Sequence, residues 1–280
     1  MVKNYNKKKY FILIILLLCV FFVYAKEYTC IVSLAPSVTK SLYELGAESC
    51  VKGITVFCPK GSIRKEIVGT LLDPNIEKIA YIKPDLVIAS KDGNSRAIVD
   101  KLCRLGFEVY VMEKSENFKD ICSNYYDLAE KINKLKKASN TINKAKVYVD
   151  KLHNKLNKNG SLRVFWEIGN NPLYTVGGKS FANDYNIYSN TINIYNGINK
   201  NYFQVFREDV MKYNPDIILL VNLGNMSKEE LSFWCKYKTL DAVQNNRIFI
   251  IDLEDMFVPT PLTFAENLSF LAKIVYGDCS

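Results

Sequence analysis

The side chains that move protons at neutral pH are nearly absent. The chain has one histidine, His153, set among Lys and Asn on a predicted helix, which leaves acid–base or zinc chemistry no partner. Gly177-Gly178-Lys179-Ser180 looks like the end of a phosphate-binding loop, but the glycine such a loop needs five residues before Gly178 is Leu173. No GxGxxG, GxSxG or CxxC spacing occurs among the 280 residues and eight cysteines. What remains is aromatic and aliphatic, chemistry suited to holding a ligand rather than converting one. An exported enzyme or an envelope interaction protein on the same scaffold are the alternative readings.

The 37 basic and 29 acidic side chains give a formal charge of +8. Much of it lies in a leader. Lys3, Lys7, Lys8 and Lys9 precede an uncharged run from Tyr10 to Ala25, a basic n-region and apolar h-region. The run is short of the ~20 apolar residues a spanning helix needs, and Val23-Tyr24-Ala25 suits a signal peptidase, so cleavage after Ala25 is expected. An uncleaved anchor, or lipidation at Cys19, is the competing reading. Removing residues 1–25 takes away four lysines and no acid, leaving 33 basic against 29 acidic side chains, a charge of +4. No nucleic-acid footprint is left. Seven cysteines stay in the mature chain, an odd number, so at least one has no partner within it.

The elements that must position a site alternate strand and helix. Cys30–Leu34, Val51–Phe57, Glu66–Val68, Asp85–Ala89 and Glu108–Met112 read as strands; Val38–Leu45, a segment begun by Asp73-Pro74, and Ser95–Leu105 read as helices. That rhythm predicts an α/β fold with mainly parallel sheets covered on both faces. From Ile121 to Leu156 an apolar residue recurs every seven positions, with no Pro or Gly before Gly160. The spacing predicts one helix of about 35–40 residues, roughly 55 Å long. A coiled coil competes, but the in-between apolar positions fail after Ile132, at Ser139 and Lys146. After Gly160 the rhythm resumes through Leu162–Ile168, Leu173–Val176, a helix near Asn183–Ile192, a helix Phe206–Tyr213, Ile217–Val221, a helix from Lys228, Ile248–Asp252 and a last helix near Thr263–Val275.

A repeat flanks this spine. IEKIAYIKPDLVI (76–88) and REDVMKYNPDIIL (207–219) align on Pro84-Asp85 and Pro215-Asp216, with Glu77 and Glu208 seven residues before each proline. Two copies with matched spacing predict two similar Rossmann-like lobes, 26–115 and 160–280, joined by one long helix over 116–159.

The segments CIVSLAPSVTKSLYELGA, KGITVFCP and VGTLLDPNIEKIAYIKPDLVIAS, with GNNPLYTVGGKSF and NYFQVFREDVMKYNPDIILL in the second half, resemble periplasmic binding proteins for cobalamin and for iron–siderophore or haem complexes. The resemblance covers nearly all of residues 28–275 and is nearest to the cobalamin type through residues 171–177 and 202–205. It implies an extracytoplasmic monomer that captures a metal chelate between its lobes and delivers it to an ABC-importer permease, with no cofactor of its own. The implied lining is Pro36, Ser37, Phe57, Thr70 and Leu71 from the first lobe and Tyr174, Tyr202 and Phe257 from the second. Glu77 and Glu208 match the two acids thought to dock on permease arginines. Tyr174, Tyr202 and His153 are the side chains that could ligate a haem iron, although His153 falls on the spine. The sequence departs from the family at Lys40, where relatives often have Glu, in the shortened Cys58-Pro59-Lys60 loop, at Thr70-Leu71-Leu72, and in lacking the second-lobe cysteine pair.

Overall fold

The computed structural model describes residues 26–156, 161–222, 228–252 and 255–277, so the leader and Cys279 lie outside it. In the first lobe, β1 (Ile31–Ser33), β2 (Val51–Ile54), β3 (Glu66–Ile67), β4 (Leu86–Ser90) and β5 (Val109–Met112) form an all-parallel sheet in the order β3-β2-β1-β4-β5. Three helices connect them: α1 (Pro36–Glu44), α2 (Ile76–Ile82) and α3 (Arg96–Arg104). In the second lobe, β6 (Leu162–Glu167), β9 (Thr191–Asn193), β11 (Ile217–Val221) and β12 (Ile248–Ile251) form a parallel sheet in the order β12-β11-β6-β9. Beside it β7 (Gly169–Asn170), β8 (Leu173–Val176) and β10 (Tyr202–Gln204) pair antiparallel. The helices here are α6 (Asn183–Tyr188), α7 (Arg207–Tyr213), α8 (Lys228–Trp234), α9 (Asp241–Gln244) and α10 (Pro261–Tyr276).

The unbroken aliphatic strands are those covered on both faces. In β11 the alternate residues Ile217, Leu219 and Val221 enter one core cluster while Ile218 and Leu220 enter the other, and every residue of the strand is buried. In β1, Ile31 and Val32 divide in the same way. Trp166, in the middle of β6, is a core residue whose indole N–H donates to Asn186 at 3.2 Å.

The single helix expected over 116–159 is a correction. It is two helices, α4 (Phe118–Lys131) and α5 (Leu135–Leu156). Phe118, Ile121 and Cys122 pack in the second-lobe core, and Tyr125, Leu128 and Ala129 in the first; along α5 the order reverses, Ala138 in the first and Ala145 and Val149 in the second. α5 therefore doubles back along α4, both helices span the two cores, and the last crossing is made by α5, 22 residues or about 33 Å. The stop is Asn133, left-handed at φ 58. Its N–H donates to the Glu130 carbonyl at 3.2 Å and the Lys134 N–H to that of Ala129 at 2.7 Å, the paired bonds of a Schellman cap.

The repeat is carried into structure. α2 and α7 each have seven residues, with Glu77 and Glu208 in second place, and each ends on a left-handed residue, Lys83 (φ 53) and Asn214 (φ 47). The following aspartate ties the turn to the strand at the sheet's centre. Asp85 accepts from the Thr29 and Cys30 N–H groups at 2.8 and 3.1 Å, and Asp216 from the Arg163 N–H at 2.7 Å. Two other helix limits differ from expectation. The α2 N-cap is Asn75, accepting from the Lys78 N–H at 2.9 Å, because residues 69–74 close a tight loop bridged at Gly69 and Pro74. α6 stops at Tyr188, where left-handed Asn190 (φ 54) releases the chain into β9.

Candidate functional site

The two sheets present the carboxyl ends of their strands to a common cleft, where open α/β sheets bind ligands. The turn after β1 delivers Pro36 and Ser37 at the start of α1; the turns after β4 and β5 deliver Lys91, Asp92 and Lys114. From the second lobe come Phe181, Tyr202 and Phe257. These residues enclose a cavity of about 450 Å³, within the range of small-molecule sites.

The second-lobe wall is aromatic. Phe257 lies edge-to-face with Tyr202, centroids 5.8 Å apart at 73°, and with Phe181, 6.2 Å apart at 70°, an arrangement aromatic quadrupoles favour. Burial pushes the Tyr202 hydroxyl up to about 12, opposed by a hydrogen bond with Ser180 and reinforced by the Asp92 charge. At neutral pH it is a donor.

The first-lobe wall is polar and close to neutral. Lys91 is paired with Glu113 at 2.7 Å. Burial raises the Asp92 carboxyl above its usual range, while the Lys114 charge and the Ser115 N–H pull it back. Leu71 is brought to the cavity by residues the sequence reading passed over. Asn94 donates to the Leu71 carbonyl at 2.7 Å while accepting from the Ser90 N–H at 2.8 Å, and a Cβ at Gly93 would stand 2.4 Å from the Leu71 side chain. The only trace in sequence is Lys-Asp-Gly-Asn-Ser after a buried strand, a turn at a strand's carboxyl end.

Of the expected lining, the structure brings Pro36, Ser37, Leu71, Tyr202 and Phe257 together. Phe57, Thr70 and Tyr174 are not on the cavity wall. Phe57 projects from the β2–β3 turn, 76% exposed; Thr70 accepts from the Asp73 N–H at 3.0 Å; Tyr174 stands on β8 opposite Gln204. His153 lies on α5, away from the cavity wall, with its Nδ1 3.2 Å from the Tyr188 carbonyl. Among the described residues no three His, Cys, Asp or Glu side chains could hold a metal ion, and the six described cysteines are free.

Gly177 and Gly178 serve a close backbone crossing rather than a phosphate. A Cβ at Gly178 would lie 1.9 Å from the Asn196 carbonyl oxygen, and one at Gly177 2.2 Å from that of Lys200. Their N–H groups donate to Asn201 and Ile198 at 2.8 and 2.9 Å. That crossing fixes the segment leading into Tyr202. Glu77 and Glu208 are both exposed, one on each lobe.

Residues 31–254 match the family described as periplasmic binding protein. The chain is similar to the vitamin B12-binding protein of Vibrio vulnificus, 25% identical over 235 residues, covering 83% of this chain and 85% of that one. An uncharacterized ABC transporter substrate-binding lipoprotein of Bacillus subtilis, YvrC, is 28% identical over 265 residues, covering 90% and 82%. Among solved structures, a possible iron-binding periplasmic solute-binding protein from Staphylococcus epidermidis superposes with a TM-score of 0.76 at 25% identity, over 90% of this chain and 100% of that one.

Proposed function

From the membership of this chain in the periplasmic binding protein family, established across residues 31–254, we propose that its cleft captures one metal chelate outside the cytoplasm and hands it to the permease of an ABC importer. The protein is a substrate-binding protein, not an enzyme. The observation that carries the ligand class is the pairing of an aromatic wall, Phe181, Tyr202 and Phe257, with a first-lobe wall whose charges cancel. Aromatic faces supply large apolar area to a flat macrocycle. A wall without net charge favours a rim of neutral amides over one of carboxylates, because unpaired anions would be desolvated against nothing that compensates them. Among cobalamin, haem and ferric siderophores, that supports a corrinoid. One relative's name, vitamin B12-binding protein, agrees with a corrinoid, and the other's, ABC transporter substrate-binding lipoprotein, with delivery to an importer.

Release is assigned to Glu77 and Glu208 as docking acids. Each stands exposed in the first turn of an equivalent helix, one per lobe, so a permease contacting both reads the position of both lobes. The protein acts as a monomer, exported through a leader over residues 1–25. Titrating the mature protein with cyanocobalamin, haemin and a ferric siderophore while following tyrosine and tryptophan fluorescence tests the reading. Saturable quenching, strongest with cyanocobalamin, is expected; no saturable quenching by any of the three refutes the ligand class.

A further inference from the structure

Helix α1 begins at the cavity and runs along the seam between the lobes. Pro36, Lys40 and Glu44 are four residues apart and share one face. Pro36 lines the cavity, and the other two reach across to the second lobe: Lys40 Nζ pairs with Asp255 at 2.6 Å, and Thr260 Oγ1 donates to Glu44 Oε1 at 2.9 Å. The two partners bracket Phe257, Val258 and Pro259, the second-lobe residues that wall the cavity opposite Pro36. This segment is held firmly to its own lobe. Thr260 and Thr263 form a capping box at the start of α10, Thr263 donates to the Val258 carbonyl at 2.8 Å, and Asn267 to that of Asp255 at 3.2 Å. α1 is held as firmly in the first lobe, through Thr39, bonded to Ser33 at 2.7 Å and to the Ala35 carbonyl at 3.1 Å.

We infer that Lys40 and Glu44 of the first lobe, with Asp255 and Thr260 of the second, form a two-point strap that sets how far the cleft stands open. Lys40 is thereby given a role at a position where the sequence departs from its relatives. The Glu44 end responds to pH. Its second carboxylate oxygen is buried without a hydrogen-bond partner. The groups facing it are Lys40 on its own helix, Asp255 and Thr260 in the strap, Glu266 on α10 and Tyr125 on α4. Burial is the largest influence and carries the carboxyl from 4.5 to about 7, against the pull of Thr260 and Lys40 and with the push of Glu266 and Asp255. A raised carboxyl favours the strapped state while protonated. Opening returns Glu44 to water and towards its ordinary value, so the strap holds best in acid and weakens as pH rises through about 7.

The test is a distance measurement without ligand, so its failure is separate from a failure of chelate binding. Spin labels on non-natural residues replacing the exposed Tyr81 of α2 (87%) and Lys212 of α7 (78% of its side chain) report lobe separation in the mature chain without using the native cysteines. The wild-type distance distribution is expected to be short and narrow at about pH 5.5, longer and broader at about pH 8.5. Lys40→Ala and Asp255→Asn, approaching one ion pair from opposite lobes, lengthen it at both pH values; Glu44→Gln, which cannot ionise, removes the pH response. Circular dichroism verifies that each variant is folded. Wild-type distributions in both Lys40→Ala and Asp255→Asn overturn the strap, and a wild-type pH response in Glu44→Gln overturns its assignment to Glu44.

Discussion

Tyr202 and Tyr174 offer a matched pair for testing which wall meets the ligand. Both were expected on the wall, and they are almost equally exposed, 39% and 40%, but only Tyr202 lines the cavity. A tyrosine has roughly 200 Å² to bury, so a ligand covering the exposed part of Tyr202 removes about 80 Å² from water. At about 25 cal/mol per Å² that is about 2 kcal/mol, or about a 30-fold rise in Kd for Tyr202→Ala. Tyr174→Ala removes the same kind of surface at a position off the cavity wall, and its Kd is expected to stay within about twofold of wild type. The assay is fluorescence quenching by cyanocobalamin on wild type and both variants, with thermal melts confirming that each is folded. Tyr202→Phe separates the hydroxyl from the ring: the packing with Phe257 is kept and the donor is lost. Equal losses in the two alanine variants, or a larger one in Tyr174→Ala, would refute the placement of the ligand.

Charge reversal at both proposed docking acids, Glu77→Lys with Glu208→Lys, should abolish chelate uptake by cells while leaving Kd unchanged; a parallel loss of binding would remove their proposed docking role. Gly178→Ala places a Cβ 1.9 Å from a backbone oxygen, and overpacking of this kind costs about 1–3 kcal/mol. A lowered melting temperature with weakened quenching is expected, whereas a wild-type melt would show that the crossing is not tight. Asn133→Ala keeps the β-carbon at φ 58 but loses the short polar side chain that makes the left-handed region tolerable to asparagine, with its bond to the Lys26 carbonyl, and should lower stability by about 1 kcal/mol. Asn133→Gly should cost less, and the opposite order by denaturant titration would refute the cap.

The sheets were legible because their chemistry is local. A five-residue aliphatic run such as Ile217–Val221 is too short for a buried helix and suits a strand covered on both faces, and Pro-Asp after a short helix marks the turn into it. The turns made by asparagine were not legible. Asn133, Asn190, Asn214 and Asn246 all adopt positive φ, and a search for Gly and Pro as stops passes over them. The seven-residue spacing from Ile121 to Leu156 continues through Asn133 because both helices turn their apolar faces to the same two cores. The failure of the in-between positions after Ile132 was the mark of the break.

The site divided along the same line. Pro36, Ser37, Leu71, Tyr202 and Phe257 were found because resemblance places them at strand ends; Lys91, Asp92 and Lys114 were missed because a charged side chain in a turn looks like solvated surface until the opposite lobe is present. The strap is of the second kind. Its residues are 215 and 216 positions apart, and no local pattern joins them. Gly177 and Gly178 are the reverse case, a local pattern suggesting phosphate chemistry where the requirement is space between two backbones.

On the proposed function, one chelate occupies the cleft and leaves it unchanged. Native mass spectrometry of the mature protein mixed in turn with cyanocobalamin, haemin and a ferric siderophore measures both parts at once. A single adduct per chain with the chelate's intact mass, most abundant with cyanocobalamin and reduced in Tyr202→Ala, is the predicted spectrum. No adduct with any of the three, or an adduct of altered mass showing conversion, would contradict it.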